Sequence, residues 1–197
     1  MAYKNHELDQ KIIESATEEF MMYGFQNASL RKIAANAGVT IGAIYTRYKT
    51  KDELFYSLIQ PLLSKIETAF QIIKKNYQDN TYANLTKSIQ NEFEIILDLL
   101  FDDYTNSYLL LCRSQGSQLE HFFDDIIARK IEETKYFFDQ MHMVTVNPFV
   151  INWLITSQFQ LYIQIFKEGY DRPVAKAIIH DAMIYHLAGW KKLLQLS

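Results

Sequence analysis

Three prolines and six glycines are all that punctuate 197 residues, and between them apolar side chains return about every 3.6 positions over long stretches. So few turn residues and so steady a helical period leave packed helices as the fold: an all-α chain. With 49% apolar residues it can bury a sizeable core, as one large or two small domains. It holds no low-complexity tract and no convincing internal repeat.

The apolar stripe Ile12, Ile13, Ala16, Phe20 and Met21 predicts a helix from about Asp9 to Tyr23, stopped by Gly24. Ser29 is a good N-cap for a shorter helix holding Leu30, Ile33 and Ala34, which Gly38 ends. Thr40 can cap a third, two-turn helix from Ile41 to Tyr48. Thr50 and Glu53 read as a capping box that opens a long fourth helix to about Tyr77. Pro61 lies inside that helix, where a missing donor and a clash with the Ser57 carbonyl predict a kink or a break. The polar stretch "YQDNTY" ends it. Further helices are expected at about 82–101, 105–115, 118–141, 148–167 and 173–195, about nine in all, with connections near Asp102–Asp103, Gly116, Val144–Asn147 and Gly169–Arg172.

Charge is unevenly placed. The whole chain has a net charge of -3, yet residues 1–51 carry seven cations and five acids, and the rest carries thirteen cations and eighteen acids. Between Ala28 and Lys51 there are five cations and no acid. A local basic patch on an acidic chain points to a phosphate-facing end. The spacing there matters too: short helix, glycine turn at Gly38–Val39, second short helix, which is helix-turn-helix spacing. In such a motif the second helix enters the DNA major groove. Here it begins with Gly42 and Ala43, slim enough for close backbone approach, and its N-terminus carries partial positive charge. Tyr45 can reach a phosphate from the exposed face, with Arg47, Lys49 and Lys51 around it. Ile44 points the other way, toward Ile33 and Leu30.

The run "SLRKIAANAGVTIGAIYTRYKTKDEL" resembles the DNA-binding segment of the TetR family of transcriptional regulators. Ile33, Ala34, Ala37, Gly38, Val39, Thr40, Gly42, Tyr45, Tyr48, Lys51 and Leu54 fall on the family's pattern. With Gly24 and Phe25 the likeness covers roughly the first quarter of the chain. Tyr48 stands where Phe is common, and Ile41 where many members carry a polar or basic residue. The resemblance implies a three-helix DNA-binding domain over residues 1–55, joined by a long helix to a helical effector-binding and dimerisation domain over residues 56–197. It implies phosphate contacts from Ser29, Thr40, Tyr45 and Lys51 and base-edge contacts from Arg31, Ile41, Gly42 and Thr46, with Arg47 serving either role. Its function would be a cytoplasmic homodimeric repressor on a palindromic double-stranded operator, released by a small molecule that the sequence does not name. Helical regulation of DNA without such a ligand is the alternative.

In the second domain the resemblance implies a four-helix seam from two pairs of C-terminal helices. On the last helix Val174, Ile178, Ala182, Tyr185, Gly189 and Leu193 form one stripe, and Ile179, Met183, Leu187, Trp190 and Leu194 lie beside it. Asn152, Thr156, Gln160 and Gln164 form an uncharged polar stripe on the helix before it, suited to a dimer seam or a cavity wall. For a cavity, Cys112 and Arg113 end an apolar run. Phe122, Phe123, Tyr136, Phe137, Trp153, Phe159 and Tyr162 offer aromatic wall or ordinary core. Arg113 reads as an ion-pair partner of an acid or as a ligand-anion contact.

Other functions have little to stand on. The order of residues gives no catalytic triad, no phosphate loop and no acids placeable in one cleft, so no enzyme is expected; Asp124–Asp125 and Glu132–Glu133 read as solvated faces. His121, His142, His180 and His186 lack metal-ligand spacing, and no cofactor is expected. Cys112 is alone, which fits a reducing compartment. The N-terminal "MAYKNHELDQK" is too polar for a signal peptide. Residues 140–166 are long enough to span a bilayer, but Asn152, Thr156, Ser157, Gln158, Gln160 and Gln164 interrupt them, so a buried helix is expected rather than a membrane-associated bundle.

Overall fold

A computed structural model describes residues 2–78, 85–140 and 146–195. The expected connections at residues 79–82 and 144–145, and His142, lie outside them. The described residues form nine helices: α1 (Ala2–Asn27), α2 (Leu30–Asn36), α3 (Ile41–Arg47), α4 (Lys51–Gln78), α5 (Leu85–Asp102), α6 (Tyr104–Cys112), α7 (Phe122–Gln140), α8 (Pro148–Glu168) and α9 (Arg172–Leu193). They divide into two compact units. The first comprises residues 1–65 with 103–121, the second residues 66–102 with 122–197. The first unit thus runs past residue 55 and draws in α6 from far along the chain.

In the first unit the apolar stripe of α1 buries Ile12, Ala16 and Phe20 against Ile33, Ile44, Leu54 and Phe55, all fully enclosed. Phe20 and Phe25 both meet the Phe55 ring edge-on, at 5.0 and 5.3 Å between centroids. Gly24 takes φ 71° and ψ 164°, a conformation closed to residues with a β-carbon. That reversal turns the Phe25 amide toward the far segment, where it donates to the Arg113 carbonyl at 2.8 Å. Nearby the Gln118 amide donates to Asp52 at 2.8 Å.

Helix α4 does not break at Pro61; it is continuous from Lys51 to Gln78. The proline ring is on the exposed face, where water can satisfy the freed carbonyl. The other departure is at residues 113–121, expected to be mostly helical. Gly116 has φ 84°, its amide donates to Glu120, and the Ser117 hydroxyl accepts from Leu119. Side chains there satisfy the backbone in turns, so α7 starts at Phe122.

In the second unit, α8 begins with Asn147 capping the Phe149 amide and Pro148 in the first turn, and ends at Gly169 with φ 70°. It buries Phe159, Tyr162 and Phe166. The Tyr162 hydroxyl donates to the Phe93 carbonyl at 3.2 Å, and burial holds its pKa well above the usual tyrosine value. His186 lies buried beside Phe93, and burial pushes its pKa down, toward the neutral form.

Arg172, in the first turn of α9, reaches back to α5. Its guanidinium donates to Asp98 at 2.6 Å and to Asp102 at 2.8 Å, with Lys176 3.5 Å from Asp98. The hydrogen bond from Arg172 lowers the Asp98 pKa below its ordinary value. A depressed carboxylate pKa contributes stability that is present above the unfolded-state value and fades as pH falls through the folded one. Asp98→Asn should therefore lower the thermal midpoint at neutral pH. The gap to wild type should close below about pH 4, as read by melting curves over a pH series. A gap that persists unchanged into acid would remove this pair as its source.

Candidate nucleic-acid interface and effector cavity

The turn between α2 and α3 is set by backbone bonding. Gly38, at φ 68°, donates to the Ala35 carbonyl at 3.1 Å, and Val39 donates to Ala34 at 2.9 Å. This paired closure of a helix end needs a left-handed residue, which explains the glycine. The Thr40 hydroxyl then accepts from the Ala43 amide at 3.2 Å and starts α3. Behind the turn, the Ser15 hydroxyl donates to the Ile33 carbonyl, and the buried Glu19 carboxylate accepts the Ser29 amide, both at 3.0 Å. Ser29 is the N-cap of α2 by conformation, while its hydroxyl makes no capping bond. The capping box at α4 forms with a shift of one residue. Thr50 accepts from the Glu53 amide at 3.0 Å, and Glu53 accepts from Lys49, not Thr50, at 2.7 Å.

Ser29, Arg31, Ile41, Tyr45 and Lys51 come together around one surface hollow, with Lys49 and Thr50 on its rim. Tyr45 is half exposed, and Arg31, Thr40, Gly42 and Thr46 are exposed. Three expected contacts have prior engagements. The Thr46 hydroxyl donates to the Gly42 carbonyl at 2.8 Å. Arg47 donates to Asp9 of α1 and, at 3.1 Å, to the Ala43 carbonyl, tying α3 to the domain. The Lys51 ammonium donates to the Gln26 and Ala28 carbonyls at 3.1 and 3.2 Å and lies 4.6 Å from the centre of the Phe25 ring. An ammonium has three donors, so one still points outward.

The second unit contains a cavity of about 680 Å³, the size of a small-molecule site. Its aromatic walls are Phe70, Tyr136, Phe137, Phe138 and Trp190. Glu92, Lys130 and Gln158 supply buried polar groups: Lys130 donates to Glu92 at 2.7 Å, and the Gln158 amide lies 3.4 Å from the same carboxylate. Nearer solvent, Lys74 pairs with Glu133 at 3.1 Å. Of the residues expected at a cavity, Tyr136 lines it. Phe159 and Tyr162 are packed core, Phe122 sits edge-on to Phe123, and Trp153 is exposed. Cys112 and Arg113 belong to the first unit, where the Arg113 guanidinium meets an aromatic ring, Tyr108, at 5.3 Å rather than the acid expected. Glu132 and Glu133, read from sequence as a solvated face, both line the cavity. Glu92, Lys130 and Gln158 were not singled out. Glu92 and Lys130 sit on separate helices, and nothing in sequence pairs them.

A family model for bacterial regulatory proteins, tetR family, matches residues 12–58, the span from the middle of α1 into α4. The chain belongs to the TetR family. An HTH-type transcriptional regulator of Staphylococcus aureus strain USA300 is 28% identical over 127 residues, which is 64% of this chain and 64% of that one. The TetR-type fold extends over the rest. FadR, the fatty acid degradation regulator of Bacillus halodurans, superposes with a TM-score of 0.61 at 16% identity, over 91% of this chain and 98% of its own. NalD, the secondary repressor of the MexAB-OprM multidrug efflux pump of Pseudomonas aeruginosa, gives 0.60 at 18% identity, over 93% and 97%.

This TetR-family chain leaves the outer faces of α8 and α9 uncovered. Phe149, Trp153 and Tyr185 are 76%, 55% and 65% exposed. Asn152 and Gln160 lie exposed on the same face of α8 and Thr156 is half-buried; on α9, Ile178, Ala182 and Gly189 are half-buried and Leu193 is exposed. Among the described residues no helix is long and apolar enough to cross a membrane, and no cluster of three potential metal ligands occurs.

Proposed function

We propose that the protein is a homodimeric, sequence-specific DNA-binding regulator, a repressor released from a palindromic operator by a small molecule. One observation carries the DNA-binding reading. A short helix, capped by Thr40 and slim at Gly42, presents its N-terminal end to solvent beside Arg31, Tyr45 and Lys51, on a stretch free of acids. That arrangement suits phosphate at the helix end and base edges along it. The uncovered faces of α8 and α9 support a two-fold seam, which would match two half-sites on the operator. The cavity of the second unit supports a small-molecule effector, as do the repressors of similar fold.

Mobility shift on the DNA upstream of the protein's own gene tests the reading, with two variants to separate roles. Lys51→Ala should weaken binding to every sequence and make the slope of log K against log salt shallower by about 0.9, the loss of one phosphate contact. Because Lys51 also holds two carbonyls at the end of α1, folding of the variant is checked by circular dichroism. Arg31, fully outside, should behave differently: Arg31→Ala relaxes preference at one operator position, costing about 1–3 kcal/mol there. Equal losses for Arg31→Ala on operator and random DNA would make Arg31 a phosphate contact. No binding of wild type to duplex DNA at low salt would end the proposal.

A further inference from the structure

We infer that the molecule held in the cavity of the second unit is a hydrophobic monocation; this deepens the reading of that unit as an effector domain and rests on it. The argument begins with charge. Among the described residues the lining carries three carboxylates, Glu92, Glu132 and Glu133, and two ammonium groups, Lys74 and Lys130. The lining is therefore one negative charge short of neutral. A monocation closes that difference, and a monoanion doubles it. Inside a partly enclosed, apolar space such a difference acts through a dielectric well below that of water.

The position of the charges sharpens the point. The deep pair is self-satisfied, with Glu92 and Lys130 at 3% and 12% side-chain exposure. Neither a cation nor an anion gains by splitting it, since the group left behind would be a buried charge without its partner. The surplus carboxylate is toward the mouth, where Glu132 and Glu133 are adjacent on α7 with side chains 73% and 38% exposed. The walls between mouth and floor are ring faces. Phe70, Tyr136, Phe137, Phe138 and Trp190 line the space, and the face of an aromatic ring attracts a cation and repels an anion. An apolar cation with its charge shielded by bulky groups meets all three conditions: it needs no desolvated counter-ion, it stacks on rings, and it neutralises the rim.

Tetraphenylphosphonium and tetraphenylborate are nearly the same shape with opposite charge, so the pair isolates the sign of the charge from hydrophobicity. Calorimetric titration of the full chain should show tetraphenylphosphonium binding more tightly than tetraphenylborate by about tenfold or more. The double variant Glu132→Gln/Glu133→Gln alters exposed side chains and should fold as wild type does. It should weaken the phosphonium by about tenfold and strengthen the borate, reversing the order. That reversal also separates the cavity from the uncovered aromatic face of α8 and α9, where neither carboxylate lies. Equal or tighter binding of the borate to wild type would overturn the inference in favour of an anionic amphiphile. So would the absence of phosphonium binding up to about 1 mM, or a double variant with unchanged affinities. Operator binding without either probe is measured beside it. A chain that binds DNA yet prefers the borate loses the ligand class alone, while a chain that binds no DNA loses the proposed function.

Discussion

Gly189→Leu should yield a folded protomer that no longer pairs and no longer holds its operator. Within the protomer, a β-carbon added at Gly189 meets nothing within 4 Å, and leucine is a better helix former than glycine, so the chain itself tolerates the change. The penalty falls on whatever packs against the outer face of α9. Overpacking costs about 1–3 kcal/mol per site, and a two-fold seam places the new side chain in the interface twice. The dimer constant should thus weaken by about 2–6 kcal/mol, from tens-fold to more than a thousandfold. Sedimentation at micromolar protein should show monomer, circular dichroism an unchanged helical spectrum, and mobility shift a loss of operator binding. A variant that still sediments as a tight dimer would move the seam off this face of α9.

A second large effect should come from the floor of the cavity. Glu92→Ala leaves Lys130 buried without its carboxylate, and breaking a buried ion pair from one side costs about 3–5 kcal/mol. Urea denaturation should register that loss without a change in slope. The companion experiment is replacement of both partners, Glu92→Leu with Lys130→Met. Apolar groups of similar length remove both desolvated charges at once, and the double variant should regain most of the loss. If Glu92→Ala is as stable as wild type, water reaches the pair and the floor is wetter than its burial implies.

The two halves of the molecule were unequally legible in the sequence. In the first unit each turn is made by one or two residues of strong local preference: Gly24, Gly38, Thr40, Thr50 and Glu53 all act within four positions of themselves. Such signals survive in a one-dimensional reading, and the helix-turn-helix came out to within a residue at most ends. What was missed there is non-local. Nothing near Phe25 announces that its amide bonds to Arg113, because that pairing depends on the fold bringing α6 back. The cavity was harder for the same reason. Aromatic residues are equally good as core and as wall, and the choice between Phe159 and Phe138 is made by neighbours on other helices. Acids are ambiguous in the same way: Glu132 and Glu133 looked like a wet surface because sequence shows the helix face but not the void beside it. Pro61 shows the converse, a strong local signal overridden because its ring faces water.

Three side chains of α3 have little to offer a base pair. Gly42 has no side chain, Thr46 spends its hydroxyl on the turn below, and Arg47 is held by Asp9. On the proposed function, a head so sparsely armed chooses among sites by how readily the duplex takes up the curvature and groove width that fit it. Stiff and pliable base steps then matter at positions the protein never touches. Drift in the untouched spacer between half-sites would alter affinity as surely as drift in the half-sites themselves. Promoters responding to one effector could then be graded in strength by flexibility alone, with every contacted base unchanged.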